Sequence, residues 1–278
     1  QTCALPICLT GETTLIAADS DGVRTLGFSW LWDISADGRY VAFISEVPDL
    51  VPNSDIIDLL IHDRQTGETR CVSCSLSDTA FTDRARFSAD ARYLVFDYIN
   101  DELYPTTTAD VYVYDLLTEE IRLVSVSSTG ATERASLWPV ISADGTFIAF
   151  ASGDTSLVPG IANGPQILIA SNPFLASDPI LTPTPTPSPT PTATATPSPT
   201  ATATPITSRP LTMDLISVDA HGDPGNDRSM WTSISADGRF VAFSSDADNL
   251  VPNDTNGVTD VFVRDRLTGE TTRVSVAR

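Results

Sequence analysis

The residues best suited to chemistry in this chain are oxygen donors. Asp254-Thr-Asn-Gly-Val-Thr-Asp260 places Asp254, Asn256 and Asp260 at positions one, three and seven of a loop with a glycine at its bend. That pattern is the opening of a calcium loop, although the distal bidentate glutamate of an EF-hand is missing. The same residues also make an Asx turn between two strands. Cys71-Val-Ser-Cys74 has the spacing of a redox pair, but it ends a strand instead of starting a helix. The expectation is a local disulfide in an oxidising compartment, with two free thiols as the alternative. Trp32, Trp138 and Trp231, with Trp30 nearby, each precede a recurring Ile-Ser-Ala-Asp-Gly-like turn. They either stack on a sugar or peptide or pack between sheets.

Other chemistries lack their parts. The chain has two histidines, His62 on an expected strand and His221 in a loop, too few for a histidine metal cluster. No Gly-x-Ser-x-Gly elbow and no phosphate-cradling Gly-x-x-x-x-Gly-Lys is present. The expectation is no catalytic residue and no cofactor, with calcium as the one candidate ion.

Sixteen Lys and Arg stand against 36 Asp and Glu, a formal net charge of -20. Such a surface repels phosphate backbones and anionic lipid, which argues against nucleic-acid and membrane-surface partners. No apolar run reaches the ~18 residues of a membrane span.

The elements that would position these residues come from a repeat. Trp32–Ser45, Ala85–Tyr98, Pro139–Ser152 and Thr232–Ser245 align on Asp37, Asp90, Asp144 and Asp237. The first two spacings are near fifty residues, and the third is longer by roughly the length of a low-complexity tract. Asp-Gly between apolar runs is a hairpin signal, and the glycine accepts positive φ. The second repeat carries Ala91 there, so its turn is expected to be strained or of another type. Each following strand, such as Tyr40-Val41-Ala42-Phe43, is apolar at every position, as in a strand buried on both faces. Third strands are expected at Asp58–Asp63, Asp110–Asp115 and Asp260–Asp265. Fourth strands are expected at Arg70–Ser73, Leu123–Val126 and Thr272–Val276. Four short strands per repeat without a helical period predict an all-β propeller of four-stranded antiparallel blades, with about four blades present and the ring incomplete.

The run from Ile234 to Val276, ISADGRFVAFSSDADNLVPNDTNGVTDVFVRDRLTGETTRVSV, resembles the TolB-like, WD-repeat-like propeller repeats of bacterial exported and surface proteins. The resemblance implies an extracellular, periplasmic or cell-surface propeller with a protein or glycan partner. The competing reading is an accessory or gating propeller of a larger enzyme, such as a prolyl-oligopeptidase-like peptidase. A propeller lyase using metal and histidine is a weaker third.

Two segments fall outside the repeat. Residues 1–7 match the translation of CAG ACG TGT GCT CTT CCG ATC, a sequencing adaptor whose next base, T, would begin the Cys8 codon. They are expected to be foreign, which removes Cys3 and Cys8 from the cysteine count. Residues 176–210 hold a Pro/Thr-rich tract expected to be an extended linker. Residues 8–175 would then form the first blades, and 211–278 would open a second propeller. The alternative makes the tract one long loop within a single blade. A 27-residue structureless loop is unusual in a compact domain, which favours two propellers.

Overall fold

The computed structural model describes residues 15–16, 28–46, 50–51, 57–76, 80–100, 108–126, 135–158, 161, 164–175 and 212–276. Residues 1–7, Cys8 and the Pro/Thr tract lie outside the described residues.

The chain folds into four antiparallel blades. Blade 1 holds β1 (Ser29–Ile34), β2 (Tyr40–Ser45), β3 (Asp58–Asp63) and β4 (Glu68–Cys71). Blade 2 has a first strand split into β5 (Ala80–Phe81) and β6 (Ala85–Phe87), both paired with β7 (Tyr93–Asn100), then β8 (Thr108–Asp115) and β9 (Glu120–Leu123). Blade 3 holds β10 (Ser136–Ile141), β11 (Phe147–Ser152), β12 (Gln166–Ser171) and β13 (Met213–Leu215). Blade 4 holds β14 (Ser229–Ile234), β15 (Phe240–Ser245), β16 (Asp260–Asp265) and β17 (Glu270–Arg273). First strands of successive blades touch: β1 meets β6, β6 meets β10, and β10 meets β14. The blades follow one another as an arc that does not close among the described residues.

The two-propeller expectation is corrected. Met213, Asp214 and Leu215 pair with Ala170, Ile169 and Leu168, so β13 is the fourth strand of blade 3. Ile216 N–H continues the ladder to the Ile167 carbonyl. The Pro/Thr tract therefore falls within the β12–β13 connection of one blade, and blade 4 continues the same arc. Loop length adds closure entropy only logarithmically, so the core on either side tolerates the insertion.

Blade contacts follow one rule. Alternate residues of the second and third strands point to the preceding and following blades. Blade 1 sends Ala42, Leu59 and Ile61 against Leu94 and Phe96 of blade 2. Blade 2 sends Val95, Val111 and Val113 against Ile148, Phe150 and Leu168. Blade 3 sends Ala149, Ile167 and Ile169 against Val241, Phe243 and Phe262. Small residues, Ala42 and Ala149, oppose the aromatic of the next blade. Each fully buried large side chain here contributes about 1.5–3 kcal/mol. The expectation of burial on both faces holds for β2, β7 and β11, whereas β15 is buried on one face only.

Fourth strands end two to three residues earlier than expected. In each blade a serine hydroxyl takes over from the backbone: Ser73 Oγ accepts Leu59 N–H, Ser125 Oγ accepts Val111 N–H, Ser217 Oγ accepts Ile167 N–H and Ser275 Oγ accepts Val261 N–H. The same hydroxyls donate to Asp58, Asp110, Gln166 and Asp260. A side chain thus closes the ladder where the strands part.

The Ser-Ala-Asp-Gly turns repeat as expected. Ser35, Ser88, Ser142 and Ser235 hydroxyls donate to Asp37, Asp90, Asp144 and Asp237. Ala91 keeps the turn type of its glycine counterparts at a φ of 58°, and so carries the strain. The glycines answer a second need. A Cβ at Gly145 would stand 2.7 Å from the Tyr93 ring of the preceding blade. Gly145→Ala is expected to lower stability by about 1–3 kcal/mol through this clash and its positive φ. Ala91→Gly is expected to raise it by about 0.5–1 kcal/mol. Urea denaturation of both variants checks this, and a Gly145→Ala protein as stable as the parent would refute the packing argument.

Candidate functional site

The inner strand of three blades carries a β-bulge. Pairing shifts between Leu31 and Asp33 in blade 1, between Leu137 and Val140 in blade 3, and between Met230 and Ser233 in blade 4. A bulge re-aims the side chain it contains. In blades 3 and 4 it contains Trp138 and Trp231, held at φ of 57° and 58°, which is costly for a bulky residue.

The surroundings enforce that conformation. Trp138 N–H donates to Asp97 Oδ2 at 3.0 Å, and its indole Nε1–H donates to Asp83 Oδ2 at 3.0 Å. Thr232 Oγ1 donates to the Trp138 carbonyl. The Trp138 and Trp231 rings stack at 4.7 Å with 14° between planes. Trp231 is 53% exposed, so one ring of the stack remains open to solvent. An apolar recess of about 230 Å³ opens beside Trp138, bounded by Leu137, Ala151, Gly164 and Pro165.

Asp97 is the keystone of the blade 2–blade 3 joint. Its Oδ1 accepts the N–H groups of Asp83 and Arg84 while its Oδ2 accepts Trp138. Burial pushes its carboxyl up to about 6, with the backbone donors from Trp138, Arg84 and Asp83 pulling the other way. No sequence signal marked it, because its three donors come from two blades.

Trp32 does not share this site. It lies five residues before Asp37, whereas Trp138 and Trp231 lie six before Asp144 and Asp237, so their structural equivalent is Leu31. Trp32 packs against the blade 1–blade 2 core, and its carbonyl accepts from Arg86. The three-tryptophan expectation thus reduces to a pair. Trp30 stacks on Phe28 at the end of the arc.

The calcium-loop residues also resolve differently. Arg273 Nη1 lies 2.5 Å from Asp254 Oδ1 and 3.2 Å from Asp260 Oδ2, so a guanidinium supplies the positive charge between them. Asn256 Nδ2 donates to Asp260. Asp260 is blade 4's version of the Asp–Ser latch, and the Ser275 hydroxyl is the chief reason its carboxyl lies below the ordinary range. The fifteen-residue spacing of Asp58–Ser73, Asp110–Ser125 and Asp260–Ser275 was visible in the sequence and would have identified it.

A disulfide joins Cys71, the last residue of β4, to Cys74 in the turn that follows. It borders an open groove of about 850 Å³ at the outer side of blades 1 and 2, with Tyr112, Tyr114 and the Arg70–Glu119 ion pair on its walls. His62 shares a hydrogen bond with Thr69, and burial lowers its pKa. His221 pairs with Asp219 in an exposed loop. Neither stands with a serine nucleophile among the described residues.

No known family's sequence profile matches the chain, and no curated protein matches it. Solved structures do match in fold. The tricorn protease aligns with a TM-score of 0.54 at 14% identity, over 90% of this chain and 23% of that one. A putative TolB from Agrobacterium tumefaciens aligns at 0.41 and 13% identity, over 90% of this chain and 82% of that one. A prolyl endopeptidase aligns at 0.43 and 13%, over 91% of this chain and 29% of that one. This chain therefore spans under a quarter of the tricorn protease. At these identities the likeness concerns the fold alone: the chain is a partial β-propeller.

Two strong carboxyl shifts have opposite consequences. Asp63, hydrogen-bonded by Arg39, is lowered to about 2. Its contribution to stability is full above the ordinary 3.8 and is lost as pH falls through about 2. Asp97 holds its proton more tightly folded than unfolded, so its contribution is full below 3.8 and is lost as pH rises through about 6. Carbon NMR of aspartate-labelled protein is expected to show one carboxyl titrating near 6, absent in Asp97→Asn. Titration of every carboxyl at or below the ordinary value would contradict the buried assignment.

Proposed function

We propose that this propeller is a non-catalytic binding module, working outside the cell or at its surface, that takes a protein or glycan partner at the inner strands. The observation that carries the reading is the Trp138–Trp231 stack. Both aromatic residues sit at strained positive φ, Trp138 is held by Asp97 and Asp83 of the preceding blade, and the Trp231 ring stacked on it is left 53% exposed. Strain of this kind persists where surrounding structure over-determines it, often at binding sites. Flat aromatic faces suit sugar rings and the apolar side chains of peptides. The Cys71–Cys74 disulfide supports an oxidising compartment, and the net charge of -20 disfavours nucleic acid.

A second reading has one observation behind it, the fold likeness to the tricorn protease. In that reading the propeller is an accessory or gating domain of a larger peptidase, and it handles extended peptide at the same strands.

Tryptophan fluorescence of dilute protein, titrated with chitohexaose, cellohexaose and an unstructured aromatic-rich peptide, separates these readings. The binding reading expects a saturable change with at least one probe, weakened about tenfold or more in Trp231→Ala. Peptide-only binding favours the gating role. Flat titrations with all three, or binding indifferent to Trp231, would remove the site.

A further inference from the structure

Six residues before the turn aspartates Asp37, Asp90, Asp144 and Asp237 stand Leu31, Arg84, Trp138 and Trp231. The turns themselves keep serine, alanine and aspartate in all four blades, whereas this position changes its side chain from blade to blade. A need of the architecture recurs with the repeat, so the variation marks a position free to serve a ligand.

Arg84 is the blade 2 member of the row. It sits in the break between β5 and β6, where blades 3 and 4 carry their bulges. Asp97 ties it to the tryptophan site: Oδ1 accepts the Arg84 N–H and Oδ2 accepts the Trp138 N–H, so both residues flank one carboxylate. Their strands β6 and β10 are in contact.

The Arg84 guanidinium differs from its fellows. Every other arginine among the described residues donates through its side chain to a carboxylate, a hydroxyl or a backbone carbonyl. That of Arg84 makes no hydrogen bond or ion pair with any described residue. It is half-buried, and burial, then neighbouring Arg86, hold its pKa below the ordinary arginine value against the pull of Asp97 and Asp83. Arg86 itself donates only to the neutral carbonyls of Trp32 and Ala85, so two positive charges stand together on this inner strand. A half-buried cation without an acceptor is costly. In a chain with 36 Asp and Glu, a guanidinium without one is a fork that fits a carboxylate brought by a ligand.

We infer that the row Arg84–Trp138–Trp231 reads an acidic oligosaccharide, with the Arg84 guanidinium gripping a uronate carboxylate while a sugar ring lies on the tryptophan stack. This rests on the binding reading above and names its ligand class. A uronate carries a flat C–H face and a carboxylate in one rigid unit, which suits an aromatic face and a guanidinium on adjacent blades. An acidic peptide carries the two on separate, rotatable side chains. The net charge of -20 opposes a polyanion at long range, so the preference comes from the contact with Arg84.

Calorimetric titration with two hexasaccharides tests this: cellohexaose, and β-1,4-linked hexaglucuronate, the same rings with a carboxylate in place of each hydroxymethyl group. Hexaglucuronate is expected to bind about tenfold or more tighter than cellohexaose. Arg84→Gln is expected to abolish that preference and leave cellohexaose binding as it was. The variant is expected to melt no lower than the parent, since the side chain it removes bonds to no described residue. Equal binding of the two sugars, a preference that survives Arg84→Gln, a melting temperature that falls in the variant, or hexaglutamate binding tighter than hexaglucuronate overturns the inference. Trp231-dependent cellohexaose binding without preference for the acid removes the role of Arg84 and leaves the binding module standing, whereas no binding of any probe removes both.

Discussion

Everything in this molecule depends on the fit of one blade's aliphatic face against the next blade's aromatic face. Alternation along the second and third strands gives each sheet two apolar faces, and a lone sheet leaves both in water. The repeat answers this by making the faces complementary. A small or β-branched residue on the following side, such as Ala149, meets Val241 and Phe243 on the preceding side. Blade 4 is the exception because no further blade covers it among the described residues, and its β15 accordingly alternates between buried and only partly buried residues after an exposed Phe240.

Polar groups at the strand ends lock this packing in register. The turn serine and aspartate fix the hairpin between the first and second strands. Arg39–Asp63, Arg92–Asp115 and Arg239–Asp265 join the start of the second strand to the end of the third. The Asp–Ser latch closes the far end, with Gln166 in the aspartate's place in blade 3. There the amide also donates to the Asp227 carbonyl in the lead-in to blade 4, which a carboxylate could not do. Such groups satisfy the backbone where ladders run out, and they give many of the acidic residues a structural role.

The candidate site sits where this regularity is broken. Trp138 and Trp231 occupy bulges in backbone conformations that a large side chain avoids, and Asp97 stands buried between blades to hold one of them. Trp138 is fixed by donors and acceptors from blades 2 and 4, so its position is a property of three blades together. The site is therefore rigid on one side, through Trp138, and open on the other, through Trp231.

Much of this was legible in the residues themselves. The four-strand repeat, its Asp-Gly turns, the third-strand boundaries of blades 1 and 4 and the strain at Ala91 follow from local chemistry, because period-two alternation and turn geometry need only near neighbours. The tertiary structure decided what depends on residues far apart in the chain. It assigned Met213–Leu215 to blade 3 across the Pro/Thr tract, since pairing of distant segments leaves no local mark. It turned Trp32 against the blade 1–blade 2 core by a one-residue offset at a bulge, which reverses the direction of a side chain. It gave the place beside Asp254 and Asp260 to Arg273, whose guanidinium reaches them only once β17 pairs with β16. It also raised Asp97 from an unmarked strand residue to the joint between two blades, because burial and donors from both sides exist only when the blades are packed.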